Sequence, residues 1–187
     1  MKSEIKRHLL PLLAVFVFIF LFWVFGKVAW FHFVFLFFGL LFGSLFLDLD
    51  HLIYWFYLRP NLDESRQAKN LCSGHDFKGL IKLLESTHKQ HTSLIFHHYF
   101  GQIILLLISL FVFTSSDNNF TQGFLLAANL HLIVDQIEDY RHHPSHLQNW
   151  LFAREKKQLP LGYLKYYLAI FIFFNLIFLL LLLRSPL

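Results

Sequence analysis

Residues 9–25, LLPLLAVFVFIFLFWVF, contain no charge and no amide, and this run decides what kind of protein the chain is. Gly26 and Lys27 interrupt it, and a second apolar run covers 28–47. A helix rises about 1.5 Å per residue, so roughly 20 apolar residues cross the hydrocarbon core of a bilayer. Further candidate spans lie at 93–113, 120–137 and 164–183, the fourth being the most polar. The expected fold is all-α, a polytopic membrane helical bundle of about five transmembrane helices, with 1–187 forming a single integral membrane domain. The first run follows a basic start as a signal peptide would. It is too long for one, and Gly26-Lys-Val-Ala-Trp30 is a poor cleavage site, so it reads as a retained helix.

Composition agrees. Hydrophobic residues make up 56% of the chain and charged residues 15%, against about 45–50% and about 25% in soluble domains. Phe occurs 25 times, more aromatic surface than a soluble core of this length can bury. Cys72 stands alone and forms no internal disulfide.

The basic residues set the expected orientation. The amino-terminal tail, the 59–90 loop and the loop after span four hold all but two of the 16 Lys and Arg residues, the exceptions being Lys27 and Arg184. With five spans these three regions share one side. The positive-inside rule makes that side the cytoplasm, with the amino terminus inside the cell and the carboxyl terminus outside. The formal charge of +4 is therefore a topology signal and gives little reason to expect nucleic acid. Membrane lipids are the expected partners; the sequence leaves the oligomeric state open.

Ionisable groups in or beside membrane spans are costly and point to function. Span two ends in Asp48-Leu-Asp50-His51, a compact set of metal-ligand types. In a helix Asp48 and His51 share a face and Asp50 points away from it. Span four contains His131-Leu-Ile-Val-Asp135 and then Glu138, all on one helical stripe. The start of span three reads Thr87-His-Lys-Gln-His91-Thr-Ser-Leu-Ile-Phe-His97-His98, where His91 and His98 would face the same way on a continuous helix. The topology brings these three clusters to one cytoplasmic layer. His32 begins span two at the other side, roughly 24 Å from Asp48 at 1.5 Å per residue. Each cluster also has a bland explanation: a solvated exit from the membrane, a His–Asp pair that knits helices, or interfacial histidines.

In these residues the chain resembles a family of bacterial and archaeal inner-membrane proteins described as membrane-bound metal-dependent hydrolases, some linked to the SOS repressor. His8-Leu-Leu looks like the family's first element and Asp48-Leu-Asp50-His51 like its second. Thr87-His-Lys-Gln-His91-Thr-Ser resembles the third and His131-Leu-Ile-Val-Asp135 the fourth. The proline common before the second element is Leu47 here, and the third element is compressed. The resemblance covers residues 8–135 and implies a metal-dependent hydrolase in the cytoplasmic membrane.

On this reading Asp48, His51, His131 and Asp135 are the first-choice ligands of a divalent metal (Zn, Mn or Fe), with His8 and His98 as further ligand candidates. Asp50 is a bridging ligand or general base, and His91 an added ligand or proton donor. Which of His88, His91, His97 and His98 bind is left open. A site at headgroup depth would suit a lipid ester or phosphoester substrate. The alternatives are a non-catalytic metal-binding protein and a structural membrane protein.

Overall fold

The computed structural model describes the backbone of residues 4–184 and the side chains of residues 7–184, so Lys2 of the basic tail lies outside the described residues. Helix α1 covers Glu4–Phe25, α2 Trp30–Phe46 and α3 Leu49–Ile53. A π-helical turn, Tyr54–Leu58, follows α3. Then come α4 (Asp63–Ser73), α5 (Phe77–Thr87), α6 (Tyr99–Ser115), α7 (Asn119–His142), α8 (Pro144–Leu151) and α9 (Leu164–Arg184). No strand occurs among the described residues.

Three helical stretches are long and apolar enough to cross a membrane: Arg7–Phe25, Trp30–Leu58 and Leu161–Arg184. The second stretch is 29 residues long because α2, α3 and the π turn run on almost without a break. Asp48-Leu-Asp50-His51 therefore lies inside a helical stretch, whereas the sequence placed it at the end of a span. Helix α6 is apolar but shorter, at 17 residues, and α7 has 24 residues with a polar lower half. The outward faces of α1, α2, α6 and α9 leave Phe25, Trp30, Phe35, Phe111 and Phe173 exposed. A surface this apolar needs lipid or a partner against it.

Helix α7 is the centre of the bundle and packs against α1, α2, α6, α8 and α9. Its closest neighbour is α2, and glycine is the reason. A Cβ on Gly43 would stand 2.0 Å from the Phe124 carbonyl oxygen, and one on Gly39 would stand 2.2 Å from that of Phe120. Gly123 of α7 faces Leu36 in the same way, at 2.9 Å. Small residues four apart let helix backbones meet where the hydrophobic effect supplies no drive. Ile19, Trp23, Leu36, Leu40, Leu126 and Phe178 fill the core beside this seam.

The 59–90 loop folds into the hairpin of α4 and α5. Leu80, Leu83 and Leu84 of α5 and Ala68 of α4 pack on Tyr54 and Trp55, which fixes the hairpin on the end of α3. The continuous helix expected through the 88–98 histidines does not form. The backbone N–H groups of Ile95, Phe96 and His97 donate to the Asp50 carboxylate, at 2.9, 2.6 and 3.3 Å. Those donors are withdrawn from an i to i−4 ladder, so the chain stays irregular until Tyr99.

Candidate metal centre

The site grows from the α7 stripe. His131 and Asp135, one turn apart, bring Nε2 and Oδ2 to 3.3 Å. From α1, His8 stacks flat on the His131 ring, with centroids 4.0 Å apart, and its Nε2 lies 3.4 Å from Asp135 Oδ1. From the irregular segment, His97 places Nε2 3.7 Å from Asp135 Oδ2. His8, His131 and Asp135 each offer one ligand atom, all within 4.8 Å of one another. Tetrahedral bonds of about 2.0–2.2 Å hold ligand atoms roughly 3.3–3.6 Å apart, a spacing that the His131–Asp135 and His8–Asp135 contacts already match.

The chemistry of the donor set fits a cation. His131 Nδ1 lies 2.8 Å from the Ser44 carbonyl oxygen of α2, which only accepts, so Nδ1 carries a proton and Nε2, facing Asp135, is the nitrogen that a neutral ring would offer to a cation. Nε2 of His51, His97 and His131, Nδ1 of His8 and Oδ2 of Asp135 are all buried without a hydrogen-bond partner. Leaving a buried polar atom unsatisfied costs about 1–3 kcal/mol. Four of these atoms, from His8, His97, His131 and Asp135, belong to one cluster, the pattern a cation would relieve. The adjoining cleft holds about 40 Å³, which exceeds the roughly 10–15 Å³ one water needs.

The sequence-derived residues divide into groups. His8, His131 and Asp135 meet, and Asp48 lies within electrostatic reach of His131 and Asp135. His51 lines the cleft but touches other histidines: its ring is 4.4 Å from His88, and its Nδ1 is 2.7 Å from His91 Nδ1. Asp50 is fully buried and holds three backbone N–H groups and His97 Nδ1. Its lone pairs are committed to the 95–97 segment. His98 caps α6, where its Nδ1 accepts the Phe100 N–H, and its charged neighbours are Arg154 and Glu155. His97 takes the place in the cluster that the helical spacing gave to His98.

Sequence reasoning missed two contributors. Glu64 of α4 lies 3.2 Å from His91 Nε2, but in the sequence it is one acid among many in a polar loop. The Ser44 carbonyl is a backbone group and leaves no mark on composition. His146 of α8 is bonded at both nitrogens, to Asp139 at 2.6 Å and to the Lys89 carbonyl at 2.7 Å. Trp150 also donates to Asp139, at 2.8 Å, so α8 is clasped over one side of the cleft.

Charge is balanced inside the cluster. Burial opposes a charge on His97, but the nearby Asp135 carboxylate, at 3.7 Å, and the bond to Asp50 outweigh burial and lift its pKa to about 9. Among protein groups, His97 is thus the cation these two carboxylates share. At the mouth, Glu138 pairs with Arg7 and, at 3.8 Å, with Lys89.

Comparison with protein-family models, with curated proteins and with solved structures finds no match to this chain.

Proposed function

We propose that this protein is a metal-dependent hydrolase of the inner membrane, with its site at the cytoplasmic face. The observation that carries the reading is the group of His8, His131 and Asp135, with unpartnered nitrogens and a carboxylate oxygen beside a cleft. Mixed imidazole and carboxylate donors suit Zn, Mn or Fe, and the Asp48 carboxylate would add to the negative field that holds the ion. A divalent ion held there would polarise an ester oxygen and make a water more acidic. The Ser44 carbonyl would hold the His131 ring in the binding tautomer, and His97 would give up its extra proton as the ion entered. Arg7 and Lys89, at the mouth, would meet an anionic head group.

The five-span topology with the amino terminus inside the cell belongs to the same proposal. Helices α6 and α7 would be the third and fourth spans. The concentration of Lys and Arg on one side supports that orientation. The substrate class that fits a site at headgroup depth is a lipid ester or phosphoester. A purely structural reading also has an observation in its favour, since His8–Asp135 and His97–Asp50 tie α1 to α7 and the irregular segment to α3.

Metal analysis of detergent-purified protein separates the two. Wild type should carry a stoichiometric divalent metal after mild purification or reconstitution, and Asp135→Ala and His131→Ala should lose it. Metal-free wild type with the fold intact would refute the metal centre and leave the structural reading. With metal present, hydrolysis of lipid esters and phosphoesters distinguishes an enzyme from a binding protein.

A further inference from the structure

His51 is 1% exposed and lines the cleft, yet it stands outside the His8, His131 and Asp135 group. Its proton can be placed by following bonds inward from the surface. The Glu64 carboxylate only accepts, so the contact at 3.2 Å puts a proton on His91 Nε2. With its proton on the nitrogen that faces Glu64, a neutral His91 ring presents a bare Nδ1 that can only accept. The 2.7 Å contact between the two Nδ1 atoms then needs its proton on His51. That leaves His51 Nε2 bare, buried and without a partner.

We infer that Glu64 and His91 are positioning residues that lock His51 in its Nδ1–H tautomer, so that Nε2 faces the cleft as the proton acceptor of the hydrolytic reaction. This role rests on the hydrolase reading above. As a water in the cleft attacks an ester carbon or phosphorus, its O–H bond breaks and the proton moves to Nε2 while the new O–C or O–P bond forms. When the ester bond breaks, the same proton passes to the leaving oxygen, and Nε2 is bare again. The logic is that of a base oriented by a second group, which is in turn oriented by a carboxylate. It gives a role to Glu64, and it separates His51 from the ligand set.

The test reads proton positions directly. Protein with ¹⁵N-labelled histidine, purified in detergent, reports each imidazole tautomer by long-range ¹H–¹⁵N correlation. His51 should show a protonated Nδ1 and a bare Nε2, and His91 the reverse. Glu64→Ala should turn both rings into tautomer mixtures, and Glu64→Asp should restore the single forms. His51→Gln should keep the wild-type metal content. A protonated Nε2 on wild-type His51, or tautomers indifferent to Glu64→Ala, would overturn the relay. Loss of metal in His51→Gln would make His51 a ligand and overturn its role as base. A metal-free wild type refutes the hydrolase reading by itself, because the tautomers are read without metal.

Discussion

Replacing Gly43 with alanine should damage the metal centre without touching a ligand. The new Cβ would stand 2.0 Å from the Phe124 carbonyl oxygen, where an ordinary contact begins at 3.4 Å. Helices α2 and α7 must therefore part by about 1.4 Å at this level, because both clashing partners are backbone and neither can rotate away. Ser44 moves with α2, so its 2.8 Å bond to His131 Nδ1 stretches to about 4 Å, beyond hydrogen-bonding range. Two costs follow. Overpacking of this kind takes about 1–3 kcal/mol from stability. Loss of a group that orients a ligand typically lowers metal affinity by about 10–100-fold, or about 1.4–2.7 kcal/mol. Gly39→Ala is the control: it meets a similar clash, at 2.2 Å, one turn further from Ser44. Equilibrium dialysis with Zn or Mn measures the affinity, and denaturation in mixed micelles measures the stability. Gly43→Ala should lose both, and Gly39→Ala mainly stability. Equal affinity in wild type and Gly43→Ala would show that the helix seam does not set the His131 ring.

Other outcomes test separate parts of the structure. Asp50→Ala strands three backbone donors and His97 in a buried place, and should cost about 3–5 kcal/mol, with loss of hydrogen-exchange protection at 95–97; a loss under about 1 kcal/mol would contradict the assigned role. Free Zn or Mn at about 100 times Kd should stabilise wild type by about 2.7 kcal/mol in the same denaturation and leave Asp135→Ala unchanged. The His146 pKa is raised, chiefly by its bond to Asp139. Its clasp on α8 is therefore fully present below about pH 6.5 and is lost as pH climbs through the higher folded value. Exchange at 144–151 should accelerate with pH beyond the intrinsic rate in wild type but not in His146→Gln, and matching profiles would rule the clasp out. Cys72, the lone thiol, lies in α4 and is half-buried. A small membrane-permeant maleimide should label it in intact cells and an impermeant one should not; labelling by both would reverse the topology.

The long apolar helices were the most legible part of the sequence, because runs such as 9–25 carry no group that would interrupt them. The α7 pair of His131 and Asp135 was equally readable, since the i, i+4 rule is local. The 88–98 segment was not. Helical spacing favoured His98, but the segment is shaped by the carboxylate of Asp50, more than 40 residues away, which competes for its N–H groups. Asp50 itself looked like a base or a bridging ligand because its residue type suits both, and only its partners reveal the other use. Glu64 was hidden for a related reason: the α4–α5 hairpin that brings it to His91 is held by Trp55 and the leucines of α5, contacts that no spacing rule encodes.

The seam between α2 and α7 also has a consequence for how the protein is made. Ser44 and His131 are separated by 87 residues, and His8 lies still further from Asp135 along the chain. During synthesis α1 and α2 are complete long before α7 leaves the ribosome. The pocket therefore cannot assemble before α7 is made; it appears when α7 packs against the glycine face of α2. A cation captured there would bridge the earliest and latest parts of that arrangement, and its retention would report that the bundle is finished.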